Sequence, residues 1–215
     1  MNNSVVIYIM EIVGTVAFAV SGSLVAVNGN LDLFGVIFVG CITAFGGGIS
    51  RDVLMGRFPP NIFSNTEFLA LAAVSCILTF IFSYKKRKSF GDFRKRLEVI
   101  NNFFDAVGLA AFTVTGTQSA IYCGFSTYPV FAISMGVLTG IGGGMLRDVL
   151  VDKTPYVLRK HVYALASALG GCLYFYTRVF INKSIAAFVS VAIIILIRIM
   201  ATKFHWKLPK INLEE

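Results

Sequence analysis

A nine-residue phrase occurs twice in the chain, as GGGISRDVL from Gly46 to Leu54 and as GGGMLRDVL from Gly142 to Leu150, at an offset of 96 residues. Each copy closes a long apolar run, and each sets an arginine and an aspartate just beyond three glycines. A phrase repeated at this distance marks a repeated fold unit. The match extends further: Gly40, Thr43, Arg57 and Pro59 correspond to Gly136, Thr139, Lys153 and Pro155. Upstream the offset becomes 94, and Glu11, Gly14, Ala17, Phe18 and Gly22 correspond to Asp105, Gly108, Ala111, Phe112 and Gly116.

The repeat is set in a membrane protein. The 215 residues are 56% hydrophobic and 14% charged, with a mean hydropathy of +0.77, whereas soluble domains are about 45–50% apolar. Runs of about 17–25 apolar residues are the unit of a spanning helix. Seven can be placed: Val5 to Val27, Leu33 to Leu54, Phe68 to Tyr84, Asn101 to Tyr122, Tyr128 to Leu150, Val162 to Val179, and Ser184 to Ala201. No Lys or Arg precedes the first run and Glu11 interrupts it, so it reads as a span and not as a signal peptide. Asn28-Gly29-Asn30, Pro59-Pro60-Asn61 and Pro155 mark turns between spans.

The expected fold is an all-α membrane protein of seven transmembrane helices. It comprises a first three-helix repeat over residues 1–84, a basic linker over 85–100, a second repeat over 101–180, and a seventh helix with its tail over 181–215. Because three is odd, the second unit enters the bilayer upside down relative to the first, giving an inverted repeat. The seventh span is nearly all Ile, Ala and Val apart from Arg198, which suits a helix facing lipid or a neighbouring subunit.

Charge then sets orientation. Of nineteen basic residues, seven fall between Lys85 and Arg96, and such clusters mark the cytoplasmic side. Alternating the spans leaves fifteen Lys and Arg on that side and only Arg51, Arg57, Arg178 and Lys183 on the other. The N-terminus is thus expected outside and the C-terminus in the cytoplasm. Contact with anionic lipid is the second reading of the basic stretch. The net charge of +8 does not point to nucleic acid, because so much of it is concentrated in this one loop.

Catalytic chemistry finds no support. Cys41, Cys76, Cys123 and Cys172 are dispersed without metal-binding spacing, and His161 and His205 stand alone. Gly140-Ile141-Gly142 begins like a dinucleotide-binding turn, but no strand–helix unit surrounds it. No enzyme and no cofactor is expected.

The glycines carry the functional question. At a 1.5 Å rise per residue, Gly46 lies roughly 20 Å into the second span, where unwound backbone is tolerated only inside protein or beside water. Breaks at Gly46, Gly47, Gly48 and at Gly142, Gly143, Gly144 would present carbonyls to a passing ion, as in broken-helix transporters. Close helix packing through small-xxx-small spacing is the alternative. The matched hydroxyls Ser21 with Thr115, Ser23 with Thr117 and Thr43 with Thr139 suggest a polar lining, or else bonds back to their own helices. Arg51 and Arg147 either snorkel near span ends or belong to a pathway. The inversion predicts Glu11 beside Arg51 and Asp105 beside Arg147. Asp52 and Asp148, one residue from the arginines, should point about 100° away around the helix and pair elsewhere.

The two GGGxxRD motifs, the three-plus-three-plus-one layout and the basic central loop resemble the prokaryotic branch of the TRIC family, the trimeric intracellular cation channels. The resemblance implies a homotrimer in a prokaryotic cell membrane, each subunit holding its own pore for monovalent cations with potassium preferred, and only potassium or sodium bound, transiently. It implies that spans two and five kink at the glycines. If the chain is such a channel, Arg51 and Arg147 are expected to act as gate elements. Related sequences have also been labelled glycine transporters, so a secondary carrier of a small amino acid is the rival expectation.

Overall fold

The computed structural model describes residues 3–86, 90–159, 162–204 and 206. Its helices are α1 (Asn3–Asn28), α2 (Leu33–Leu54), α3 (Asn61–Ser64), α4 (Thr66–Lys86), α5 (Phe90–Tyr122), α6 (Pro129–Leu150), α7 (Tyr156–Arg159), α8 (Val162–Thr177) and α9 (Lys183–Lys203). Six are long and apolar enough to cross a membrane; α8 is a shorter apolar helix. A helix stands at each of the seven expected spans, the sixth as the shorter α8, and the second has the expected bounds. The fourth differs, for α5 starts at Phe90 and takes the later part of the linker into the helix. Arg87, Lys88, Lys160, His161, His205, Lys207 and Lys210 lie outside the described residues.

Local chemistry accounts for the helix ends. The Asp32 carboxylate caps α2 by accepting the Gly35 N–H at 2.8 Å, the Asn182 side chain accepts the Ser184 N–H at 2.9 Å ahead of α9, and Pro129 occupies the first turn of α6. Each partner satisfies a helix-end N–H or, for proline, removes one.

The contacts between the halves are reciprocal. A Cβ on Gly47 would strike the Thr139 carbonyl, and a Cβ on Gly143 would strike the Thr43 carbonyl. These positions exchange under the 96-residue offset, so a two-fold axis passes through the α2–α6 contact. As the number rises from 43 to 47 on α2 it falls from 143 to 139 on α6, so the helices cross antiparallel. The pair α1 and α5 repeats the pattern: a Cβ on Gly14 would meet the Phe112 ring, and one on Gly108 the Phe18 ring. Phe18 and Phe112, equivalent residues, touch edge to face across the axis with centroids 5.2 Å apart. An antiparallel two-fold within one chain is the geometry of an inverted repeat.

The helices are not broken at the glycines. α2 runs as α-helix from Leu33 to Leu54 and α6 from Pro129 to Leu150, which corrects the expectation of unwound backbone at Gly46–Gly48 and Gly142–Gly144. Here the glycines serve packing. A helix carrying Ala at Gly47 could not come so close to the Thr139 carbonyl, and close backbone approach is what associates helices where lipid removes the hydrophobic drive. Three glycines cost roughly 1 kcal/mol each in helix propensity, offset by direct backbone contact across the axis.

The seventh helix is also more than a lipid-facing addition. α9 packs on α5 and α8, with Ile194 fully buried against Gly170, where a Cβ would collide with it. Arg198, on the same helix, is 2% exposed.

Candidate functional site

The Arg-Asp pair folds identically in both halves. The Arg51 guanidinium meets Asp52 Oδ1 through Nε at 2.9 Å and Nη2 at 2.8 Å, and Arg147 Nε donates to Asp148 Oδ1 at 2.8 Å. The other carboxylate oxygen accepts the first N–H of the following short helix: Asn61 N to Asp52 Oδ2 at 2.9 Å, and Tyr156 N to Asp148 Oδ2 at 2.7 Å. Between them the chain turns through a left-handed residue, Gly56 with φ of 70° and Asp152 with φ of 54°. Asp52 and Asp148 therefore do not pair elsewhere, as the 100° argument held; their side chains curl back, because a carboxylate capping the next helix faces the neighbouring guanidinium.

Beyond that unit the two ends diverge. Arg147 Nη1 also donates to Asp105 Oδ1 at 2.8 Å and to Ser21 Oγ at 2.7 Å, and Ser21 Oγ donates to Asn101 Oδ1 at 2.8 Å. From α9, Arg198 Nη2 reaches Asp105 Oδ2 at 3.4 Å, while its guanidinium lies 4.3 Å from the Tyr163 ring centroid and 5.4 Å from that of Tyr156. Two arginines and two aspartates thus close a buried, charge-balanced cluster, below a vestibule of about 350 Å³ lined in part by Asn28, Glu98, Asn102, Lys153 and Thr154. At the Arg51 end the expected Glu11–Arg51 ion pair is not made. Glu11 and Arg51 instead line one cavity of about 70 Å³ with Thr15, Thr115 and Thr139.

The remaining expected residues sort by hydrogen bonding. Thr43 and Thr139 each donate to the carbonyl four residues back, Val39 and Met135, at 2.6 Å. Thr117 does so to Thr113 at 2.8 Å. These are helix-internal bonds, not a free polar lining. Ser23 is fully buried beside Gly40. Gly48 is open apart from Arg51 Nη2 at 3.9 Å, whereas a Cβ at the equivalent Gly144 would lie 3.2 Å from the Tyr163 hydroxyl. Arg198, Tyr156 and Tyr163 escaped the sequence reading. A lone arginine in an otherwise aliphatic span was the available signal, since intramembrane charge implies a buried partner.

An integral membrane protein of two antiparallel three-helix units, with a cavity at each end and a charged cluster beneath one of them, belongs among the inverted-repeat membrane proteins. The family model described as glycine transporter matches residues 8–84 and 102–179, one match per repeat. The chain is 36% identical to the UPF0126 inner membrane protein YadS of Escherichia coli K12 over 212 residues, covering 97% of this chain and 98% of that protein. It superposes on a prokaryotic TRIC channel crystallised in 0.5 M KCl with a TM-score of 0.85 and 34% identity, over 95% of this chain and 100% of the other. Against the TRIC trimeric intracellular cation channel orthologue from Rhodobacter sphaeroides the TM-score is 0.84 at 31% identity, over 94% and 99% of the two chains. The chain belongs to the prokaryotic TRIC family.

Proposed function

We propose that each protomer conducts monovalent cations, potassium in preference to sodium, along the two-fold interior between α1, α2, α5 and α6. The observation that carries this reading is the pair of cavities at opposite ends of one helix crossing, each reaching an Arg-Asp unit from its own side. The solved relatives described as cation channels support it. In this reading the Arg147 cluster is the closed gate, and the glycine crossing is the fixed waist around which the ends open. A homotrimer follows the relative described as trimeric. The basic linker lies in the cytoplasm, with the N-terminus outside. Reconstitution into a planar bilayer tests conduction: unitary potassium currents are expected, and a silent, correctly folded protein would sink the proposal. Cysteines placed at Ser126 and Lys86 test topology, since an impermeant reagent should label only the first.

A carrier of a small amino acid is the second reading, favoured by the description of the matching family model. Two cavities separated by a tight helix crossing also suit alternating access. Saturable glycine uptake into proteoliposomes without unitary currents would select it.

A further inference from the structure

The symmetry that relates the halves also exposes what one half lacks. Glu11 and Asp105 are equivalent acids, yet Asp105 holds two arginines, while Glu11 has no hydrogen-bonding or ion-pairing partner among the described residues. Arg198 makes the difference. It comes from α9, which lies outside the repeat and has no counterpart at the other end. Counting the buried and cavity-lining charges, Asp105, Asp148 and Glu98 balance Arg147, Arg198 and Lys153, whereas Glu11, Arg51 and Asp52 leave one negative charge. Exposed Arg57 also lies within electrostatic reach of Glu11, outside the cavity.

The hydroxyls around Glu11 differ in the same direction. Thr43, Thr113, Thr117 and Thr139 spend their protons on their own helices. Thr15 and Thr115 line the Glu11 cavity, each 2% exposed, and make no hydrogen bond among the described residues. Their equivalents at the other end are Leu109, which has no hydroxyl, and Ser21, whose hydroxyl is held by Arg147 and Asn101. A carboxylate and two unengaged hydroxyls therefore share a cavity of about 70 Å³, room for roughly one or two water-sized occupants at about 30 Å³ each.

We infer that Glu11, Thr15 and Thr115 form a binding site for a single monovalent cation, and that Glu11 sets the preference for cations over anions at this end of the path. A partly buried carboxylate whose cavity guanidinium, Arg51, is already engaged by Asp52 is costly without a further counter-charge, and hydroxyl and carboxylate oxygens are suited to replace part of an ion's hydration shell. A divalent ion would call for more charge: no group of three or more His, Cys, Asp or Glu side chains able to hold a metal occurs among the described residues. Weak, single-charge binding lets an ion enter and leave.

The inference deepens the channel reading, and a test with two readouts keeps their fates separate. Crystals of the full-length protein soaked in thallium(I) nitrate should show anomalous density beside Glu11, retained in Glu11→Asp and lost in Glu11→Gln. Wild-type crystals without that density, or Glu11→Gln crystals that keep it, overturn the site. In bilayers under a KCl gradient, Glu11→Gln should lose most of the potassium-over-chloride preference, and Glu11→Asp should keep it. An unchanged reversal potential in Glu11→Gln, as a neutral protonated Glu11 would give, overturns the selectivity role while conduction stands. Thallium density in a protein that passes no current upholds the site and defeats the channel reading. Melting of Glu11→Gln alongside wild type guards against misfolding.

Discussion

The two ends of the interior carry the same motif and use it differently. At the Arg147 end a guanidinium is held by Asp148, Asp105 and Ser21, and a second guanidinium backs the cluster from α9. At the Arg51 end the guanidinium is held, among the described residues, by its own Asp52 alone, beside a smaller cavity. Duplication supplied the hardware common to both, namely the arginine, the aspartate that aims it and the short helix which that aspartate caps. What distinguishes the clustered end from the other lies in residues off the axis and in α9, which has no counterpart in the repeat.

The comparison breaks most visibly at the equivalent acids. Asp105→Asn strands buried arginine charge and should destabilise the fold by about 3–5 kcal/mol, while Glu11→Gln removes a carboxylate that makes no ion pair and should leave stability unchanged or raised. Denaturation in detergent measures both, and equal losses would mean that the ends are energetically alike. Next come the glycines on the axis itself, where symmetry predicts no difference. Gly47→Ala and Gly143→Ala should each cost about 3 kcal/mol, as overpacked contacts do, because either Cβ lands on a carbonyl that cannot swing away. A large gap between the two would deny the axis its place.

Coupling gives a smaller and sharper contrast. A double-mutant cycle on Asp105→Asn with Arg147→Gln should return about 1–3 kcal/mol of interaction energy, and the cycle on Glu11→Gln with Arg51→Gln less than about 0.5 kcal/mol. Strong coupling in the second cycle would restore the ion pair that the geometry denies. The smallest effects belong to the third glycine of each motif. Gly48→Ala meets open space and should be neutral or gain up to about 1 kcal/mol of helix propensity, whereas Gly144→Ala must displace the Tyr163 hydroxyl and should be the less stable of the two. The reverse ranking would show that the Tyr163 side of the cluster is loose.

Much of this architecture was legible in the sequence because lipid leaves few choices. An apolar run of the right length must be a helix, so the spans were found with their order, and the matched phrases gave the inversion by counting. The glycines were misjudged for a definite reason: a run of three states that side chains are unwelcome, but not whether another backbone or an ion takes the space. Only the spatial register of Gly47 on Thr139 decides that. The Asp105–Arg147 contact followed from equivalence, but equivalence also predicted the Glu11–Arg51 pair, which is not formed. The missing information was Arg198, a residue without a symmetry mate, whose reach to Asp105 depends on how α9 docks.

The crossing of α2 and α6 has a consequence of its own. Gly47 rests on Thr139 and Gly143 on Thr43, so one three-helix unit already displays, on a single face, both halves of the contact. Such a face is self-complementary in the sense of a two-fold dimer interface. Two separate copies inserted in opposite directions would build the same seam with no linker between them. The chain therefore stores a homodimer within one polypeptide. Residues away from the seam are free of that constraint, and equivalent positions there differ, as Glu11 in one half and Asp105 in the other do.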